Sequence, residues 1–296
     1  RKARPMAQGL NQLPDYSWPN GYRAAVIFSI DVDAESPLQW AQRGKAVKTL
    51  GEMEQRRFGP RRGLARLVDL LAEFEAMGSF YVPGAVMEAY PWIVPGLLEI
   101  GHEVGLHGYY HEAMQTLDNA EFDDVMARSL MRFTQQGGTT PVGFRSPSWE
   151  LAPHQIARII RPEISYDSSL MGFDHPYRIE GLTEIPVHWS IDDAIFYRFF
   201  GGGRDTSPPT SPGALLDAWK WEFDSVVATR GLFMITVHPW MSGRAGRIEM
   251  LRQMFKHIRE HKDVWWTTAA DVAQWHDSQH SNGQFDVVNT PVKTKF

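Results

Sequence analysis

His107 and His111 stand four residues apart in the stretch Gly101-His-Glu-Val-Gly-Leu-His-Gly-Tyr-Tyr-His-Glu112. If the chain turns helical after Gly108, both imidazoles leave the same side and can share one metal ion. Far upstream, the apolar run Ala24-Ala25-Val26-Ile27-Phe28-Ser29-Ile30 stops at Asp31-Val32-Asp33, which puts two carboxylates at the end of what reads as a buried strand. Two imidazoles and one carboxylate make a facial ligand set that leaves positions on a divalent ion open for water and substrate. The second carboxylate is then free to take a proton as water attacks a carbonyl, while the ion lowers the water's pKa and steadies the oxyanion. His238 ends the run Leu232-Phe233-Met234-Ile235-Thr236-Val237 and can return a proton to a leaving nitrogen; Arg145 ends another short run. The chemistry within reach of this set is metal-assisted hydrolysis of an amide. Each residue also has a plainer reading. Histidines at this spacing occur on wet helix faces, Asp-x-Asp caps helices, arginines pair with surface acids, and a histidine before Pro239 suits a turn. Convergence at four strand ends favours the site.

Those ends need a scaffold. Leu64, Leu67, Val68, Leu71 and Phe74 fall at helical spacing and predict an amphipathic helix over 61–77, ended by Gly78. A short strand at 79–82 follows, then a helical stretch punctuated by Pro91 and Pro95, then a strand over Glu103 to Leu106 with His107 at its carboxyl end. Further helices are expected near 119–135, 153–160, 213–229, 247–261 and 268–276, and strands at 142–145, 164–166, 184–187, 232–237 and 264–268. Alternating strands and helices imply an α/β protein with a parallel sheet, most simply a barrel, whose active site lies on the carboxyl rim. The barrel spans 23–278. Residues 1–22, with Pro5, Pro14 and Pro19, read as an extended arm, 34–60 as a long loop, and 279–296 as a polar tail.

Composition narrows the classes. With 43% apolar and 12% aromatic residues over 296 positions, the chain folds around a sizeable core. Thirty basic against 35 acidic residues and no dense basic run exclude nucleic acid as a partner. The absence of cysteine excludes a disulfide framework, a thiolate metal site and a cysteine nucleophile, so any metal rests on His, Asp or Glu. Residues 1–15 lack the apolar core of a secretory leader and no run of about 18 apolar residues could cross a bilayer, so a cytoplasmic enzyme without a membrane partner is expected. His154, His175, His257, His261, His276 and His280 lie among polar neighbours and read as surface; Trp219, Trp221, Trp265 and Trp266 read as core or interface.

These motifs resemble the polysaccharide deacetylase superfamily, also called the NodB homology or carbohydrate esterase family 4 group. The similarity runs in order over about residues 22 to 277 and is strongest to the branch holding a Helicobacter peptidoglycan deacetylase, bacterial cyclic imidases and cofactor-free allantoinases. Asp31-Val32-Asp33, His107-Gly-Tyr-Tyr-His111, Arg145-Ser-Pro147 and Thr236-Val-His238 match the family's four motifs. The resemblance implies a distorted (β/α) barrel of seven or eight strands. It implies Asp31 as base, Asp33, His107 and His111 as ligands to zinc (or manganese, cobalt or nickel), Arg145 lining the site and His238 as acid. The segment Glu184 to Asp193 resembles the branch's own insertion, in which Asp192 or Asp193 orients a catalytic histidine. Tyr81, Trp149, Trp189 and Phe196 are candidate apolar walls for substrate, with Asp193 beside them. Relatives on this branch assemble as tetramers, which implies a homo-oligomer.

The separated aspartates and the missing leader make a small cyclic amide or imide the leading substrate expectation. The alternative is an N-acetylglucosamine glycan such as peptidoglycan. Two other classes are a carbohydrate-binding barrel without chemistry, for which Asp31 would be dispensable, and an iron oxygenase, which has no use for Asp31.

Overall fold

In the computed structural model, which describes residues 15–159 and 163–289, the strands are β1 (Ala24–Asp31), β2 (Ser79–Val82), β3 (Glu103–Leu106), β4 (Gly143–Phe144), β5 (Tyr166–Asp167), β6 (Tyr177–Ile179), β7 (Leu182–Glu184), β8 (Leu232–Val237), β9 (Val264–Thr267) and β10 (Asp286–Val287). The helices are α1 (Ser36–Ala41), α2 (Leu50–Phe58), α3 (Leu64–Glu73), α4 (Gly84–Ala89), α5 (Ile93–Glu99), α6 (Asn119–Gly137), α7 (Ile156–Ile159), α8 (Ala194–Tyr197), α9 (Pro212–Thr229), α10 (Pro239–Ser242), α11 (Ala245–Glu260) and α12 (Ala269–Gln279).

β1 is buried at every residue, as a strand covered on both faces must be. It pairs in parallel with β8 along most of its length, with β9 near its start and with β2 near its end. The sheet runs β10-β6-β7-β5-β4-β3-β2-β1-β8 with β9 beside β1, and among the described residues only the β6–β7 hairpin is antiparallel. This curled, mostly parallel half-barrel with surrounding helices is the form taken by the distorted (β/α) barrel that the NodB-type resemblance implies. The strand number exceeds seven or eight because the β6–β7 hairpin and β10 add short strands at one edge. An isolated bridge between Asp192 and Thr236 brings the segment after β7 against β8.

The period of two along β1 divides the core. Val26, Phe28 and Ile30 face outward onto Leu67, Leu71, Phe255 and their neighbours. Ala25 and Ile27 face inward with Tyr81, Tyr166 and Met234. Ser29 and Asp31 therefore share the inner side, and the polar end of the strand enters the mouth of the half-barrel.

Several expectations are corrected. Residues 107–113 form no helix; His111 has a left-handed φ of 59° and Gly108 one of 66°. The Glu112 carboxylate accepts from the backbone N–H groups of Tyr109 and Tyr110, both at 2.9 Å, and a Cβ on Gly108 would stand 2.8 Å from that carboxylate. A tight loop, not helical spacing, aims the two imidazoles. The expected loop 34–60 contains α1 and α2. A π-helical turn, Gly59–Gly63, then runs into α3 and meets α10 at backbone distance: a Cβ on Gly63 would stand 2.0 Å from the Pro239 carbonyl oxygen. Of the tail, 279–289 is built into the body, since β10 pairs with β6 and Phe285 is buried. Of the arm, Tyr16 and Trp18 are buried, while 1–14 lie outside the described residues. His175, His276 and His280 are buried, not surface, because they pack around Tyr16 and Phe285.

Candidate active site

Asp31 points inward from the end of β1 and accepts a 2.8 Å hydrogen bond from Arg145 Nη1. Arg145 follows β4 and is wholly buried. Its guanidinium also donates to Ser29 Oγ at 3.0 Å, to Ser168 Oγ at 2.9 Å and to the Ser168 carbonyl at 3.0 Å, and it lies 4.1 Å from the Tyr81 ring centre. Burial alone would lower the Arg145 pKa; the Asp31 carboxylate outweighs it and keeps the guanidinium charged. A fixed cation thus holds one oxygen of Asp31, and the other lies 3.8 Å from His107 Nε2.

Asp33, two residues on, faces three imidazoles. His107 Nε2 is 3.3 Å from Oδ1, and the Nε2 atoms of His111 and His238 are each 3.6 Å from Oδ2. Burial alone would raise the Asp33 pKa, but His111, His107 and His238 together hold it far below the ordinary carboxylate range. His107 Nδ1 lies 2.7 Å from the Arg145 carbonyl, which can only accept, so in the neutral ring Nδ1 carries the proton and Nε2 presents a lone pair. That lone pair is aimed at Asp33 Oδ1, a buried oxygen that accepts no hydrogen bond. Two acceptors at that separation repel unless a cation lies between them, either a metal ion or a proton on Nε2, and against burial the Asp31 and Asp33 carboxylates raise the His107 pKa. Asp33, His107 and His111 offer ligand atoms all within 4.8 Å of one another. The set fits a divalent ion with imidazole and carboxylate ligands. Burial drives His111 down to about 4, despite Asp33, and so keeps it a neutral donor.

His238 follows β8 and is held by Asp193. Its Nδ1 is 2.7 Å from Asp193 Oδ1, its backbone N–H donates to Asp193 Oδ2 at 3.0 Å, and Ser242 Oγ donates to the same oxygen at 2.5 Å. Against the lowering effect of burial, Asp193 raises His238 to about 10, so the ring is a proton donor at neutral pH with Nε2–H toward the mouth. Asp193 is wholly buried, and both its oxygens are taken by His238 and Ser242. Its neighbour Asp192 lines the cavity; burial pushes it up to about 7.

These groups border a cavity of about 290 Å³. Trp149 and Trp189 stack at 4.3 Å on one wall, and Trp40, Arg56 and Trp240 come from other elements. Asp31, Asp33, His107, His111 and His238 all reach it, as do Trp149 and Trp189. Arg145, Tyr81, Asp193 and Phe196 do not. Arg145 and Asp193 stand behind the groups they hold, Tyr81 is sealed beneath Arg145 in contact with Tyr166, and Phe196 packs against the core. The expectation of Tyr81 and Phe196 as substrate walls and of Asp193 as a substrate contact is corrected accordingly. Arg56, Arg198, Trp40 and Trp240 escaped the sequence reading, since only the length of segment 34–60 hinted at a contribution. Among the described residues no helix is long and apolar enough to cross a membrane.

Residues 58–157 match the family model described as polysaccharide deacetylase. Over 278 residues the chain is 24% identical to a peptidoglycan deacetylase of Helicobacter pylori, covering 84% of this chain and 94% of that one. A crystal structure from Mycobacterium smegmatis, classed as a polysaccharide deacetylase, is 31% identical and superposes with a TM-score of 0.88 over 96% of this chain and 100% of its own. The PuuE allantoinase shares the fold, with a TM-score of 0.80 at 19% identity over 94% of this chain and 99% of its own.

Proposed function

Because the chain belongs to the polysaccharide deacetylase family, whose members act on carbon–nitrogen amide bonds, we propose that it is a metal-dependent hydrolase removing the acetyl group from an N-acetylated amino sugar. The observation that carries this reading is the buried, unpartnered Asp33 Oδ1 opposite the His107 lone pair, beside a second carboxylate and a protonated imidazole.

A divalent ion held by Asp33, His107 and His111, zinc by its preference for imidazole donors or else manganese, cobalt or nickel, would supply Lewis-acid charge that acidifies water and polarises the amide carbonyl. Asp31 takes the proton of the attacking water, and Arg145 keeps that carboxylate oriented. His238 gives its Nε2 proton to the nitrogen as the carbon–nitrogen bond breaks, leaving acetate and a free amine. Asp193 fixes the tautomer and steadies the imidazolium. Trp149 and Trp189 offer a flat apolar wall for a sugar ring.

A small cyclic amide, which led the expectations from the sequence, ranks second. It is favoured by the cavity's volume of about 290 Å³ and by Val32 between the two aspartates. Purified protein assayed on N-acetylglucosamine oligomers and on succinimide separates the two. Acetate release supports the deacetylase, ring opening alone supports the second reading, and turnover of neither contradicts both.

A further inference from the structure

The cavity carries positive charge that the chemistry above does not use. Arg56, on α2, borders the same cavity as Asp33 and is 7% exposed. Its Nε lies 3.4 Å from Glu52 Oε1, but the other oxygen of Glu52 accepts from Arg204 at 2.9 Å, so one carboxylate serves two guanidinium groups. Arg198, just past α8, borders the cavity too, and among the described residues no carboxylate pairs with it. Burial lowers the Arg56 pKa, Asp33 and Glu52 oppose that, and Arg198 adds to the lowering, so the two cations are near enough to repel.

The acids that face the cavity do not balance this pair. Asp31 is taken by Arg145, Asp33 faces the imidazoles with which it would hold the ion, and Asp192 accepts from the Ala194 N–H at 2.6 Å. Holding a guanidinium almost out of water, with half a counter-charge and a second guanidinium nearby, is unfavourable unless an anion joins them. The Arg56 guanidinium carbon also lies 5.2 Å from the Phe200 and Trp240 ring centres, so the rings border its charged end without supplying an anion.

We propose that the substrate is an amide bearing a carboxylate near the scissile bond, and that Arg56 and Arg198 bind that carboxylate. The inference deepens the hydrolase reading and rests on it for the position of the amide. Hydrogen bonds from two guanidinium groups to a carboxylate in a semi-enclosed site correspond to a preference of roughly ten- to a hundredfold.

The test uses the metal-loaded enzyme and a matched pair of probes, N-acetylglucosamine carrying a carboxymethyl ether at O3 or O6, and the same compounds as carboxamides. Both kcat/KM and, by calorimetry, Kd are measured. The carboxylate form is expected to be favoured by that factor. The ratio should fall toward one in Arg56→Gln and in Arg198→Gln, and Arg56→Lys should restore part of it. Arg198→Gln alters an exposed residue and keeps the test decisive if Arg56→Gln folds poorly. Equal handling of the pair by wild type, a ratio unmoved by Arg198→Gln, or binding of neither form overturns the proposal; acetate release from the carboxamide would leave the hydrolase reading standing. Arginine-dependent binding of the carboxylate without hydrolysis of either form would uphold the anion site and defeat the deacetylase.

Discussion

Substituting Gly63 by alanine should impair the enzyme without touching its polar groups. The new Cβ would stand 2.0 Å from the Pro239 carbonyl oxygen and 2.8 Å from its carbon. A carbon–oxygen contact settles at roughly 3.3 Å, so the two backbones must part by about 1 Å. Pro239 directly follows His238, and its carbonyl accepts from the Gly243 N–H at 3.1 Å, so the strain passes into α10 and the His238 imidazole just before it. Overpacking of this kind costs about 1–3 kcal/mol, a fall of a few degrees in the melting temperature of a chain this long. A displacement of about 1 Å at a proton donor lowers kcat on the order of a hundredfold. Steady-state kinetics on an acetylated sugar, thermal melting and metal analysis read the three consequences. Metal content should hold, because Asp33, His107 and His111 come from other segments. Gly246→Ala, where an added Cβ meets nothing within 4 Å, is the control and should behave as wild type. A Gly63→Ala protein with unaltered melting and kcat within about twofold of wild type would refute this reasoning.

Two pH effects follow from buried histidines. Asp193 raises His238 to about 10 against burial, so the acid form persists through neutral pH and is lost as pH rises toward that value. Asp193→Asn should move the alkaline fall of kcat/KM to lower pH and reduce kcat on the order of a hundredfold or more; an alkaline limb that stays in place contradicts the role given to Asp193. His276 is pushed down to about 3, mainly by burial and then by His280, Arg178 and His175. Its unfolded pKa is near 6.5, so above that both states are neutral and its contribution to stability is complete. As pH falls from about 6.5 toward 3 the unfolded chain takes up a proton that the folded one refuses, and stability declines. Melting temperature should therefore drop between pH 7 and 4, less steeply in His276→Gln; equal slopes for both proteins would count against it.

Residues at strand ends were legible because the signal is local. The apolar run of β1 ends in a carboxylate, the run of β8 ends in a histidine, and a parallel sheet puts such ends on one rim. The pairing of His107 with His111 was also legible, but through an inference of helix that the left-handed His111 does not support. Asp192 and Asp193 could not be told apart in sequence, because their difference depends on the bridge to Thr236 that turns one toward His238 and the other toward the cavity. Arg56, Trp40 and Trp240 carry no local mark, since α1, α2 and α10 reach the cavity only through long-range packing. The buried histidines misled for a related reason. Polar neighbours in sequence say little when Tyr16 and Phe285, from opposite ends of the chain, close over them.

In the proposed site Asp33, His107 and His111 hold one cation and Asp31 does not. Metal analysis after dialysis against zinc addresses it directly, with wild type, Asp33→Ala, His107→Ala and Asp31→Asn compared side by side. About one ion per chain is expected in wild type and in Asp31→Asn, the latter without turnover, and substantially less in the other two. Wild type that retains no ion, or Asp33→Ala that retains a full one, would contradict the account.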